Sequence, residues 1–489
     1  MKSYDVVIVG LGPVGGTIAN LLALNGLSIL ILEREKSIFN LPRAVHFDDE
    51  VMRIFQSIGI SERFARYTII NKGTKFVNAD DEVVLDWPRP RSRTINGWYP
   101  SYRFHQPDLE RQLRRSLKDF KKVSIRQNTK VLKIKNIDNH VDIVFEDTQT
   151  NQLHSVESSY VIGCDGAGSL TREQMGNKLV NLGFTQKWSV VDLILKHDNN
   201  KLADRTIQYS NSKRPATYCR NVGRRRRWEF AIHDHEDEKE ILSDKYIWNF
   251  LKPWLQPYEA ELERKTIYTF QSAIAMKWRS GRIFLAGDAA HLMPPFMGQG
   301  MCAGIRDASN LAWKISLCLK NGHNEKLLDT YQSERFSNVK EYIQTTMRMG
   351  EFINDIGTSK ITNNISENSD GTMSMKSIQP ELGPGLGKKS DKNRGKPFPQ
   401  LTMNNGTRLD LKFAKQPVLL LDSELKDNEL KSKIKSFYGH QVVGLADLLN
   451  YYNAKAIIVR PDRFILETCP PGSDLNEFIK NKLNELNIV

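Results

Sequence analysis

Tyr4-Asp5-Val6-Val7-Ile8-Val9-Gly10-Leu11-Gly12-Pro13-Val14-Gly15 is the stretch on which the fold turns. Its first half is a continuous β-branched run without polar alternation, the pattern of a parallel strand buried on both faces. Glycines interrupt it, and Ile18, Leu21 and Leu22 then recur at helical spacing over 15–25. Gly26 closes that helix, and Leu27 to Leu32 (LSILIL) reads as a second buried strand ending on Glu33. Strand, turn, helix and strand make a βαβ unit. Within it Gly10 permits the tight turn, Gly12 leaves the backbone open to a pyrophosphate, and Gly15 lets helix and strand pack closely. Pro13 and Val14 lead into the helix, whose free N–H groups favour phosphate. Glu33, 18 positions beyond Gly15, is placed to accept hydrogen bonds from an adenosine ribose, with Arg34 next to it. The spacing predicts a dinucleotide site. The bland alternative is a βα turn without ligand, and the motif does not separate FAD from NAD.

Outward from this unit, strands are expected at 131–137, 141–145, 160–164 and 282–285. Alternating, aromatic-rich segments at 188–195, 207–209, 217–221 and 228–232 predict an antiparallel sheet, and a long amphipathic helix is expected over 328–352. Residues 357–396 are rich in Ser, Asn, Gly, Lys and Pro and read as a linker or long surface loop. Beyond it comes a small α/β pattern, with strands at 418–422 and 456–460 and a terminal helix at 475–486.

The chain has 489 residues, enough for two or three domains, and its 40% hydrophobic and 26% charged residues place it in the ordinary globular class. The net charge of +13 raises nucleic acid, a membrane surface or anionic ligands as partners. The densest basic run, Arg224 to Arg227, leads straight into Trp228-Glu229-Phe230, so a turn entering a strand explains it and no nucleic-acid partner is expected. The five cysteines are scattered without a CxxC pair, which argues against a disulfide framework and a zinc site. No apolar stretch approaches the roughly 18 residues of a membrane span, and no signal-peptide pattern opens the chain. The expectation is a cytoplasmic protein with no membrane partner and no bound metal.

Two further constellations carry chemistry. Cys164 to Arg172 reads CDGAGSLTR, and Arg282 to Lys314 reads RIFLAGDAAHLMPPFMGQGMCAGIRDASNLAWK. Asp165 and Asp288 each follow a strand, where α/β folds place ligands. Asp288 is positioned to accept a hydroxyl from a ribityl chain. Pro294-Pro295 and Gly298-Gln299-Gly300 then form a rigid turn and a glycine-rich loop whose amides can stabilise negative charge. A helix-capping turn is the plainer reading of each. His291 reads as structural.

With the N-terminal glycines, these motifs resemble the single-component FAD-dependent aromatic hydroxylases, in the branch of 3-(3-hydroxyphenyl)propionate hydroxylase and phenol hydroxylase. Pro42-Arg43-Ala44, Asp48-Asp49-Glu50 and Phe104 to Glu110 (FHQPDLE) support it, and the resemblance covers most of residues 4–356. It implies an α/β fold: a discontinuous Rossmann-like FAD-binding domain (1–75, 100–182 and 275–356) interleaved with an antiparallel-sheet substrate domain (76–99 and 183–274). Residues 397–489 resemble the thioredoxin-like tail of the phenol hydroxylase branch, here without CxxC and so read as serving packing or a homodimer. The implied activity is hydroxylation of a small aromatic substrate with O2, through a flavin C4a-hydroperoxide, with NADH or NADPH reducing noncovalent FAD. Arg43 resembles the arginine that meets flavin and nicotinamide phosphates, Gln106 the residue that bonds the ribityl chain, and Asp165 a brace. Val131 and Met301 complete the candidate cofactor contacts. His46 is the candidate base, and Tyr209, Tyr218 and Phe230 are pocket walls or ordinary sheet packing. A flavoprotein of the same fold acting on a complex polyketide or antibiotic, or a non-catalytic dinucleotide-binding protein, are the competing readings.

Overall fold

The computed structural model describes residues 2–41, 43–198, 201–211, 213–354, 365–367, 373–375, 377–413 and 416–488, so Pro42 and much of the 357–396 segment lie outside the described residues. The strands Ile283–Leu285, Gln152–Gly163, Lys2–Val9, Ile29–Leu32 and Val123–Arg126 lie side by side in that order, all parallel. The apolar run at 6–9 is explained by cover on both faces. Val6 and Ile8 point to Ile18, Leu22, Leu311 and Ile315 on the helices Pro13–Leu24 and Gly300–Asn321. Val7 and Val9 point the other way, to Val131, Val141, Ile143 and Phe145 of the antiparallel strands Thr129–Ile137 and His140–Asp147. Successive side chains alternate between two cores, as the strand's period of two requires.

All four aromatic-rich segments fall in a second sheet. Leu179–Leu195 pairs with both Arg225–Ala231 and Ala260–Ala275, and Ala216–Arg220 joins Arg225–Ala231 to Thr206–Tyr209. Thr206–Tyr209 then pairs in parallel with Gly73–Val77, which continues into Val83–Pro88. Tyr218 packs on Trp228 with ring centroids 4.8 Å apart, Phe230 on Phe250 at 4.1 Å and Tyr209 on Trp254 at 5.1 Å. They build the core beneath the helix Asp244–Leu251, so these three rings are sheet packing and not pocket walls. A small third sheet pairs His46–Asp48 and Thr68–Ile70 with the central strand Ser101–Phe104.

The stretch 377–396 is packed, unlike a free linker. Leu382 and Leu386 are buried, and Gly383 N–H and Leu386 N–H donate to the Glu334 carbonyl and carboxylate at 2.9 and 3.2 Å. Its leucines give it an anchor that composition alone conceals. The tail that follows has strands Val418–Leu421, Lys435–Tyr438, Ala456–Val459 and Ile465–Cys469 alternating with helices in the order βαβαββα. Its first two strands are parallel and the later pairings antiparallel. Sequence periodicity finds the first and third strands and the last helix, and misses the other two strands.

Candidate active site

Four of the parallel strands deliver a motif each at their carboxyl ends, and their backbones are stitched together there. Gly10 N–H donates to the Leu32 carbonyl at 2.8 Å, Cys164 N–H to Val9 at 2.8 Å and Ala286 N–H to Gly163 at 3.0 Å. Strand order therefore sets out Asp288, Asp165, the Gly10–Gly12 turn and Glu33 in a row. At roughly 4.8 Å per strand this row is about 14 Å long, which suits an elongated ligand with two ends.

The glycines divide into two kinds. A Cβ on Gly10 would fall 2.5 Å from the Cys164 carbonyl oxygen, and one on Gly15 would fall 2.1 Å from the Gly10 carbonyl oxygen. Those two serve the turn and the helix–strand approach. A Cβ on Gly12 would meet nothing within 4 Å, so the backbone there borders open space at a helix N-terminus. Leu11 is held from both sides: its N–H donates to Glu33 Oε2 at 2.7 Å and its carbonyl accepts from Arg114 Nη2 at 3.3 Å. Arg114 has no place in the glycine motif, and only its position on the Gln106–Leu117 helix beside the turn reveals it.

Asp288 makes no hydrogen bond among the described residues, and its side chain is accessible. Desolvation by the surrounding protein nonetheless pushes its carboxyl up, with His291 and Arg43 pulling it back. Accessible yet walled by protein, it has the surroundings of a group lining an internal cleft. Asp165 is fully engaged: it accepts from Ser169 Oγ at 2.6 Å and from Thr171 N–H at 2.9 Å. Arg172 ties this turn to the next, donating to the carbonyls of Ala167 and Ala289 at 2.7 and 3.0 Å.

The Gly287–Ala289 turn is clamped by the helix Gly300–Asn321. A Cβ on Gly304 would fall 2.9 Å from Gly287 Cα and 2.6 Å from Val14 Cγ2. Three residues on, Asp307 accepts from Gly287 N–H at 3.1 Å, from Arg335 Nε at 2.8 Å and bonds His291 Nε2 at 2.6 Å. Burial raises its carboxyl, but His291 and Arg335 beside it bring it below the usual carboxylate range. Next to it, Arg306 donates to Asp48 and Glu50 at 2.5 and 2.6 Å and to Gln299 Oε1 at 3.1 Å. The Asp48-Asp49-Glu50 motif and the glycine-rich loop are thus two halves of one clamp.

That loop runs through the turn Pro295–Met297 to Gly298, at φ +64°, and then into the helix at Gly300, with Met301 half-buried behind it. His46 lies under it. A carbonyl only accepts, so His46 Nδ1 donates to Gly298 O at 3.3 Å, which leaves Nε2 to accept from Ser101 Oγ at 2.8 Å. Burial, with Arg103 and Arg89 adding their charge, pushes the ring down to about 3. A neutral ring with both nitrogens engaged is a poor base, so the geometry gives His46 a loop-holding place. Gln106 is similarly occupied: its Oε1 accepts from the N–H groups of Arg43 and Ala44 at 3.2 and 2.8 Å, and its Nε2 donates to Glu110 at 2.9 Å. It positions the loop that carries Arg43. Arg43 is exposed, with its guanidinium 5.5 Å from the Phe39 ring centre, and its carbonyl accepts from Arg227 at 2.9 Å. Arg34 is an exposed residue paired with Glu35, and Val131 is buried in the sheet core.

Within that loop, Phe296 packs on Phe184 and Trp188, each at 5.7 Å, so the rings against the loop come from the strand Leu179–Leu195. Composition gave no reason to single these out over the other sheet aromatics.

Residues 3–346 match the family described as FAD binding domain. The chain is 39% identical over 350 residues to a probable NADH-specific resorcinol 4-hydroxylase of Rhodococcus jostii, covering 71% of this chain and 65% of that protein. It is 34% identical over 353 residues to a 3-(3-hydroxy-phenyl)propionate/3-hydroxycinnamic acid hydroxylase of Mycolicibacterium gilvum, covering 71% and 60%. The matched stretch thus spans less than two thirds of these relatives. In architecture the chain is similar to aklavinone-11 hydroxylase, solved with FAD and aklavinone (TM-score 0.81, 18% identity, 99% of each chain). It is similar also to the flavin-dependent monooxygenase PieE (TM-score 0.83, 18% identity, 100% of this chain and 99% of that one).

Proposed function

The chain belongs to the FAD binding domain family, and we propose that it is a noncovalent FAD-dependent monooxygenase that hydroxylates a phenolic substrate with O2 and NADH or NADPH. The observation that carries this reading is Asp288: an accessible carboxylate at a strand end, without a hydrogen bond among the described residues and in line with an open glycine turn. When bound, FAD supplies the redox chemistry, accepting a hydride equivalent from a nicotinamide and activating oxygen. The chain's own residues bind and orient. Gly12 admits the pyrophosphate, and Glu33 and Arg34 flank the adenosine end with Val131 in the wall behind. Asp288 holds the ribityl chain, while Pro295, Gly298, Gly300 and Met301 form the edge against the flavin ring. Asp165 and Arg172 brace these turns, Gln106 fixes the loop of Arg43, and Arg43 meets the nicotinamide phosphates. Phe184, Trp188 and Phe296 exclude water from the ring side.

The first parallel sheet with its helices forms the FAD-binding domain (1–75, 100–182 and 275–356), and the second sheet forms the substrate domain (76–99 and 183–274). The βαβαββα tail supports a thioredoxin-like reading of 397–489, and dimerisation is assigned to it. Purified protein given FAD, NADH or NADPH and a panel of phenols should consume O2 and form hydroxylated product in matching amounts. Asp288→Ala should weaken FAD binding about ten- to a hundredfold while the fold is retained, since a charge-assisted hydrogen bond is lost. Unchanged FAD affinity in that variant, read by flavin fluorescence, removes Asp288 from the cofactor site.

A further inference from the structure

Arg103 and Arg89 are two cations whose guanidinium groups are only partly bonded among the described residues. Arg103 stands opposite His46 in the small three-stranded sheet, with Ile69 on its other side. The other face of that sheet is closed, with Phe47 stacked on Tyr102 at 5.0 Å. The face carrying Arg103 looks to the junction of the two large sheets: His46 meets Gly298 of the loop, and Arg103 donates to the Thr206 hydroxyl of the second sheet. Arg103 is only 7% exposed, yet that hydroxyl is its one hydrogen-bond partner among the described residues and its Nε has none. Arg89 lies over the Trp87 ring at 3.9 Å, bonds the Ser377 hydroxyl and likewise leaves Nε unpartnered.

The neighbouring carboxylates are already committed. Asp192 and Glu229 lie 2.7 and 3.5 Å from Arg227, and Asp48 and Glu50 hold Arg306. Asp49 accepts from Thr94 and Asn96. Arg89 feels Arg103 as a like charge: burial and then Arg103 bring it down to about 10, with Asp48 and Asp49 opposing. Burial lowers Arg103 as well, with Glu229 pulling it back and Arg227 adding to the fall. Arg103 is buried and Arg89 half-buried, and neither guanidinium forms an ion pair with a carboxylate among the described residues. A buried cation without an ion-pair partner is costly unless an anion completes it, and a guanidinium's fork matches a carboxylate.

We infer that Arg103, with Arg89 beside it, receives the anionic group of the aromatic substrate, so that the site prefers phenols bearing a carboxylate over neutral ones. This rests on the hydroxylase reading above. The test is binding to the FAD-loaded protein, followed by flavin absorbance, of 3-(3-hydroxyphenyl)propionate and of its uncharged primary amide. The acid should bind about ten- to a hundredfold tighter than the amide. In Arg103→Met that ratio should collapse to near one, and in Arg103→Lys it should be partly kept. The melting temperature of Arg103→Met should be equal to or above that of the unmodified protein, because a buried charge without an ion pair among the described residues has been removed. Equal binding of acid and amide overturns the inference, and so does a ratio that survives Arg103→Met or a large fall in melting temperature. A rise in the KM for NADH with an unchanged acid-to-amide ratio also overturns it, placing a cosubstrate phosphate at these arginines. Binding is read without turnover, so preference for the acid with no phenol hydroxylated would sink the hydroxylase reading and leave this inference standing.

Discussion

His46 and Asp49 sit three positions apart and respond to burial in opposite ways. His46, brought down to about 3, stays neutral through the working pH range and relays a hydrogen bond from Ser101 to the Gly298 carbonyl. Replacing it with Asn should therefore lower turnover by loosening the loop while leaving the inflections of kcat/KM between about pH 5 and 9 where they were. Loss of an inflection in that profile would restore His46 as a base. Asp49 is pushed up to about 6, first by burial and then by Asp48. A carboxyl whose folded value lies above its unfolded one costs stability at higher pH, and the cost is relieved as pH falls from about 6 toward about 4. Asp49→Asn keeps an acceptor for Thr94 and Asn96 without the charge. The variant should be more stable than the unmodified protein at pH 8, by on the order of 2 kcal/mol and with a higher melting temperature, and the gain should shrink at pH 5. A gain independent of pH would mean that the Asp49 charge is not the cause.

The helix Gly300–Asn321 decides whether the strand-end turns can close into a site. Gly304 and Asp307 stand three positions apart on it, so the small residue approaches the Gly287 turn and the carboxylate then holds it. Gly304→Val should force the helix away from Gly287 and Val14, costing about 1–3 kcal/mol of stability and an order of magnitude or more in FAD affinity. Calorimetry and flavin titration would show it, and undiminished FAD binding would mean that this contact does not shape the site. The glycine turns, Glu33, Asp165 and Asp288 were legible because strand-end chemistry leaves a local signature: a run of β-branched residues, a break, then a specific small or acidic residue. The two main sheets were legible for the same reason, from their periods. Arg114, Arg103 and Arg306, and the packing of Phe184 and Phe296, were not. Each acts through a partner far along the chain, as Arg306 does through Asp48, and nothing local marks such a pairing. Tyr209, Tyr218 and Phe230 show the converse: alternation identifies a sheet residue without saying which of two faces is the pocket.

At the scale of the whole chain, the tail is fastened to the FAD-binding half by two buried ion clusters. Arg53, on the helix that follows the Asp48 clamp, donates to Asp410 at 2.6 and 2.8 Å, and Arg463 reaches the same carboxylate at 2.9 Å. Glu334, on the long helix Glu325–Asn354, accepts from Lys314 at 2.7 Å and from Arg460 at 2.8 and 2.9 Å, with Asp462 on the other side of Arg460. Arg460 and Lys314 hold Glu334 low against the effect of burial, and Arg53 and Arg463 bring Asp410 down to about 2. Both acids contribute stability that is present above their unfolded values and is lost as pH falls through the folded ones, so the clamps should hold until about pH 4 and fail below it. Removing one partner strands a buried charge, which costs about 3–5 kcal/mol. Arg460→Ala should accordingly lower the melting temperature sharply at pH 7, and Asp462→Asn added to it should recover part of the loss, because Asp462 is the carboxylate left without its ion pair while Glu334 keeps Lys314. A chain ending at 396 loses Asp410, the partner of Arg53, and Arg460, a partner of Glu334, together and should fail to fold around FAD. A soluble, FAD-binding truncate with cooperative unfolding would show that these clusters merely dock a separate unit onto a finished core.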